Sequence, residues 1–194
     1  AVSEDWIAGV FADEATLTDV QRQALASSDV LIDELLQSDI IVIATPMYNY
    51  GMPSSLKAWF DQVIRINKTF SFDLARGDEP IEPIQSGKTL VILSAHGEGE
   101  FLHGGRNAGR NHLHPHIVEC CKLLGVAKHH VVAIQYQEFR DERHTESVRN
   151  AHAAIAPLVT ARVLALFFLT LFSFLAFSKV LVGYSTMDQS KEMD

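Results

Sequence analysis

The sequence predicts an α/β protein with a parallel sheet and helices on both faces. Two observations carry that expectation. Short apolar runs at 40–44, 89–93 and 131–134 are separated by segments whose apolar residues recur at helical spacing, which makes βαβ units with right-handed crossovers. The first two runs also open into loops at their carboxyl ends, where open α/β sheets take their ligands.

The first element is a helix. Thr18-Asp19-Val20-Gln21 has the form of a capping box, in which the Thr hydroxyl and the Gln side chain satisfy each other's free amides. Val20, Ala24, Leu31 and Leu35, with Leu25, Ile32 and Leu36 beside them, give one apolar face through about Gln37. A strand from Asp39 to Ala44 follows. It is too short for a typical helix, β-branched and bounded by polar residues, so it reads as buried on both faces.

Pro53 suits a first helical turn, and Leu56, Trp59, Phe60, Val63 and Ile64 repeat at three- and four-residue steps until Asn67 and Lys68. The connection from Thr69 to Gly87 is long, and Thr69-Phe70-Ser71-Phe72 alternates like a short strand, so a flap or hairpin is expected there. Thr89 to Leu93 is a second apolar strand. It ends in the loop Ser94-Ala95-His96-Gly97-Glu98-Gly99. Leu113, Ile117, Cys121 and Leu124 form a helical stripe stopped by Gly125, Val131 to Ile134 supplies a third strand, and a last helix runs from about Asp141 toward Pro157.

Composition removes several functions. A chain of 194 residues with 47% hydrophobic and 21% charged residues has the usage of one globular domain. Its net charge of -8, without a Lys/Arg cluster, leaves no electrostatic footprint for nucleic acid. Cys120 and Cys121 are adjacent and cannot make a disulfide framework, which fits a reducing compartment. The first residues, Ala1-Val2-Ser3-Glu4-Asp5, lack the features of a secretory signal and an initiator Met, and read as the start of a fragment.

The carboxyl end departs from this pattern. Val163 to Phe177 is apolar apart from Thr170 and Ser173. As a helix it spans roughly 22 Å, short of a hydrocarbon core near 30 Å, and reaching that length through Val182 means admitting Lys179. The favoured division is therefore a domain over residues 1–160 and an extension over 161–194, the latter a core segment or non-native sequence in preference to a membrane tail.

The turn Thr45-Pro46-Met47-Tyr48-Asn49-Tyr50, with Leu56-Lys57-Ala58-Trp59-Phe60-Asp61 after it, resembles the flavin loop and following helix of the FMN-dependent NADH-azoreductase and quinone reductase family. The similarity runs from about Trp6 to about Val159. It implies a flavodoxin-like fold, truncated at the amino end because the family's first strand, first helix and second strand have no counterpart ahead of Ala1. It further implies FMN as cofactor, NADH or NADPH as electron donor, a quinone or azo compound as acceptor reached by alternating hydride transfers through one site, and a cytoplasmic homodimer. Met47, Tyr48, Asn49 and Tyr50 correspond to the family's first flavin loop. Ser94, Ala95, His96 and Gly97 fall on its second, although family members more often show Gly where His96 and Glu98 stand.

The residue chemistry agrees with that assignment. Aromatic and Met side chains offer polarisable apolar area to a flat ring, Asn offers both a donor and an acceptor to its edge, and Gly51 permits a close backbone. The family's phosphate loop, a hydroxyl-rich turn at a helix N-terminus, has no match before Ala1. Lys179 to Thr186 resembles such a strand and loop at the other end of the chain, as in a circular permutation. The rival to the enzyme is a flavodoxin-like binding protein without catalysis, tethered to a membrane by residues 163–182.

Other motifs carry less. Ser86-Gly87-Lys88-Thr89 mimics the end of a P-loop, but the required earlier Gly falls at Glu82 and the motif precedes a strand. His112, His114 and His116 alternate, and the pair His116 and Cys120 on one helical face does not close a zinc site.

Overall fold

In a computed structural model, residues 2–160 are described. Residues up to Val148 form one compact unit and those from Arg149 a second. The second is helical throughout its described part, 149–160. The apolar run from Val163, the extension 161–194 and the strand-like segment Lys179 to Thr186 lie outside the described residues.

The first unit opens with α1 (Glu4–Phe11), which the sequence did not announce. Its amino end is capped by the Ser3 side chain, which accepts from the Trp6 amide. α2 (Asp19–Leu36) begins with the expected capping box, Thr18 and Gln21 each accepting the other's backbone amide. Then come β1 (Ile40–Pro46), α3 (Ser54–Val63), a hairpin of β2 (Phe70–Phe72) and β3 (Ile81–Pro83), β4 (Lys88–Ala95), α4 (His114–Lys122) and β5 (Val126–Ile134). The unit is helical again from residue 142 to its end.

β4 is the central strand, paired in parallel with β1 on one side and β5 on the other. The register sets Ala44 opposite Leu93 and Pro46 opposite Ala95, so the loops leaving β1 and β4 start side by side. Ile41, Ile43, Leu90 and Ile92 point into one core with Ile32 and Leu35 of α2, Phe60 and Val63 of α3, and Ile117 and Cys121 of α4. The free thiols of Cys120 and Cys121 form no bridge.

β1 corrects one expectation. It is buried on a single face: Ile41 and Ile43 are inside, whereas Val42 is 59% exposed and Ile40 and Ala44 are exposed with it. Continuous apolar sequence cannot distinguish a central strand from one at a margin, and β1 pairs only with β4 among the described residues. β4, by contrast, is enclosed on both faces. β5 starts five residues earlier than its apolar run, because Val126 to His130 continue the ladder although Lys128, His129 and His130 are polar. α3 stops at Val63, short of Asn67, since Arg65 to Thr69 turn the chain through backbone bonds to the Arg65 carbonyl.

The P-loop-like lysine has a structural role. Lys88 is buried at the start of β4, and its ammonium donates to the Leu35 carbonyl at 2.9 Å and to that of Ser38, capping the end of α2. Burial pushes its pKa down, opposed by the nearby Asp39 carboxylate. Replacing Lys88 by Met strands those carbonyls, and a loss of roughly 1–3 kcal/mol is expected in urea unfolding. An unchanged midpoint would remove the lysine from this role. No helix among the described residues is long and apolar enough to cross a membrane.

Candidate functional site

Three loops meet at the carboxyl tips of the sheet. Loop 1 (46–51) leaves β1, loop 2 (95–101) leaves β4 and loop 3 (135–141) leaves β5. The Met47 amide donates to the Ala95 carbonyl at 2.9 Å, which joins loop 1 to the end of β4.

Loop 1 is a tight reversal. Tyr48 and Gly51 exchange both backbone hydrogen bonds, at 3.0 and 2.9 Å, while Asn49 and Tyr50 take positive φ of 49° and 65°. That pair of left-handed residues is the signature of a type I′ turn. Asn adopts it readily, but Tyr does so at a cost. Contacts from the 101–112 segment hold Tyr50 there. His112 donates its amide to the Tyr50 carbonyl at 2.9 Å, the Arg110 guanidinium lies 4.1 Å from the ring centroid, and Phe101 stands 6.2 Å away.

Loop 2 continues the alternation of β4. Ala95 and Gly97 face out, while Ser94 (5% exposed) and His96 (1% exposed) turn in. Asn111 organises the residues behind them. Its Oδ1 accepts from the amides of Leu113 and His114, so its Nδ2 must be the donor, to the Phe101 carbonyl and to His114 Nδ1. His114 therefore carries its proton on Nε2 and donates to Ser94 Oγ at 2.9 Å. His96 lies edge-on to Phe101 and 5.2 Å from the His114 ring, with neither ring nitrogen hydrogen-bonded. Burial pulls the pKa of both histidines down to about 4, and for His96 the neighbouring His114 adds to the effect.

Loop 3 is stitched to loop 2 by main chain. Tyr136, Gln137 and Glu138 each donate an amide at 3.1 Å, to the carbonyls of Glu98, His96 and Gly97. Gly99 makes this approach possible, since a Cβ there would lie 2.1 Å from the Tyr136 ring.

Between the loops lies a cavity of about 500 Å³, within the roughly 300–1,000 Å³ range of small-molecule sites. Loop 1 contributes Pro46, Met47 and Tyr48, loop 2 Ala95 and Gly97, and loop 3 Gln137, Glu138 and Arg140. The structure thus brings Met47, Tyr48, Ala95 and Gly97 together. Asn49 and Tyr50 sit at the tip of the reversal, outside that lining. Ser94 and His96 do not reach the cavity; two-residue strand periodicity, carried past the end of β4, turns them inward. Gln137, Glu138 and Arg140 were missed because the loop after β5 carries no glycine, and its aromatics Tyr136 and Phe139 belong to no motif of the kind that marks loops 1 and 2. Among the described residues no group of three His, Cys, Asp or Glu side chains is arranged to hold a metal ion.

A sheet whose neighbouring strand tips enclose one crevice defines the class of open α/β ligand-binding proteins. A family described as having a flavodoxin-like fold matches residues 1–157, and the chain belongs to it. It is 54% identical over 158 residues to FMN-dependent NADH:quinone oxidoreductase 2 of Colwellia psychrerythraea, a match covering 81% of this chain and 72% of that one. It is 36% identical to FMN-dependent NAD(P)H:quinone oxidoreductase 1 of Pseudomonas aeruginosa over 81% of this chain and 75% of the relative. The solved azoreductase AzrA shares the fold with a TM-score of 0.70, at 21% identity over 81% of this chain and 74% of that one.

Proposed function

We propose that this chain is an FMN-dependent NAD(P)H oxidoreductase that reduces quinones or azo compounds. The observation that carries the reading is the crevice shared by loops 1 and 2, together with kinship to the quinone oxidoreductases. FMN bound there would supply the ring that accepts hydride and passes electrons on. The residues present fit such a group. Met47 and Tyr48 offer polarisable area from one wall, and Ala95 and Gly97 keep the facing wall free of bulk. Asn49, at the tip of loop 1, would offer its carboxamide to a ring edge.

The remaining assigned residues act from behind. The Asn111, His114 and Ser94 chain of hydrogen bonds fixes the end of β4, and the His96 ring fills the space beneath the loop. Glu138 and Arg140 bring one charge of each sign to the crevice wall. The resemblance supports a cytoplasmic homodimer, for which sedimentation of the flavin-loaded chain is the direct measurement.

Titration with FMN tests the reading. The flavin fluorescence is expected to be quenched on binding, and the loaded protein to oxidise NADH when a quinone is present. Met47→Ala is expected to weaken FMN binding roughly tenfold, the loss of one well-packed side chain from the ring's face. A chain that stays colourless after reconstitution refutes the proposal.

A further inference from the structure

We infer that the arginine-lined cavity on the other side of loops 2 and 3 binds the pyrophosphate of the nicotinamide dinucleotide donor. This deepens the oxidoreductase reading and rests on it. Gly97 and Glu138 face the crevice, whereas their neighbours Glu98, Tyr136 and Phe139 face a second cavity of about 230 Å³. Arg106, Arg110 and Arg143 converge on it from two separate segments, with Asn107 between the first two.

Arg110 reaches from the second cavity to loop 1. Its guanidinium lines the second cavity and also stacks on Tyr50 of loop 1, 4.1 Å from the ring centroid. A ligand held by Arg110 is therefore held beside the crevice mouth. The wall between the cavities is specifically built, with Tyr136 at φ 62° and Gly99 left bare to admit its ring. Arg143 in turn covers Tyr136 and Phe139, at 4.7 and 4.5 Å from their centroids.

The charges already present decide which anion fits. Arg106 faces Glu100 at 3.5 Å in a long and exposed pair, Arg110 faces Glu98 at 3.7 Å across a carboxylate oxygen that is itself buried and accepts no hydrogen bond, and Arg143 and Asp141 are close at 2.6 Å. Exposed pairs of the long kind contribute little. A phosphate oxygen met by the planar fork of a guanidinium forms the stronger contact, so a pyrophosphate draws the Arg106 and Arg110 guanidiniums out of these long pairs, while Glu100 keeps the Tyr136 hydroxyl. The carboxylates keep the empty cavity neutral and discriminate against singly charged ions, because exchange gains only when the incoming group carries more charge than the one it replaces.

The test is calorimetric titration of the full chain with ADP-ribose, which carries the donor's pyrophosphate but no nicotinamide, with and without FMN. Arg106→Gln and Arg110→Gln are each expected to weaken binding at least fivefold, and Arg106→Lys less than Arg106→Gln. Inorganic phosphate is expected to displace ADP-ribose only at much higher concentration. The inference is overturned if wild-type chain does not bind ADP-ribose in either form, if the glutamine variants bind it as wild type does, or if phosphate competes equally well. FMN is titrated separately, so loss of flavin binding with ADP-ribose binding intact would count against the oxidoreductase reading alone.

Discussion

Gly125→Ala is expected to lower stability by about 3 kcal/mol or more, the largest single-site effect foreseen for this chain. Two causes add. Gly125 ends α4 at φ 86°, and holding a side-chain-bearing residue there costs on the order of 1–3 kcal/mol. A Cβ would also stand 2.4 Å from the Gln85 carbonyl oxygen and 2.6 Å from its carbon, which are backbone atoms that cannot swing aside. Relieving the overlap shifts the entry to β4, where Lys88 donates its amide to the Gly125 carbonyl at 3.0 Å. Gly77 isolates the first cause. It has φ 73°, but a methyl carbon placed on it would meet nothing within 4 Å, so Gly77→Ala is expected to cost only the backbone strain, on the order of 1–3 kcal/mol. Equal losses in urea unfolding of the two variants would show that the Gln85 contact contributes nothing.

Acid is expected to destabilise the chain steeply between pH 6.5 and about 4. His96 and His114 have their pKa values lowered from 6.5 to about 4 in the fold. Above pH 6.5 both are neutral whether folded or not, and their contribution is fully present. Below it the unfolded chain takes up protons that the native state refuses, so stability falls with pH until the native rings also protonate near 4. Each withheld proton is worth up to about 1.4 kcal/mol per pH unit, and for two histidines a combined loss on the order of 5 kcal/mol by pH 4.5 follows. His96 is the informative one to change, because its ring nitrogens make no hydrogen bond that substitution would break. His96→Leu is expected to keep its stability near pH 7.5 and to lose about one proton from the acid slope. A slope identical to wild type would mean that the native ring takes up its proton over the same pH range as in the unfolded chain.

The three strands, the α2 cap and the position of the crevice were legible in the sequence because each has a local cause. Thr18 and Gln21 need only each other, and Ile40 to Ala44 is β-branched wherever it lies. What escaped depends on contacts distant in sequence. α1 has a short apolar pattern and becomes a helix by packing Trp6 and Gly9 inward, with Gly9 closely approached by Leu25 of α2. Val42 looks like a core residue until the order of strands is known. Within the site, the loops were found from Met47, Tyr48 and Gly97, whereas the direction of each side chain was not. The alternation of β4 runs on through Ser94 and His96, and counting it by twos from Leu90 and Ile92 would have turned both inward. Tyr50 in a left-handed conformation has no local signature, since Arg110 and His112 hold it from far along the chain.

Three of the bonds that stitch loop 3 to loop 2 run between main-chain amides and carbonyls, through Tyr136, Gln137 and Glu138. The side chains of Gln137 and Glu138 take no part in those three bonds. Substitution there can change the lining of the crevice while those three main-chain bonds remain, so the chemistry of this wall and its position are set by different atoms.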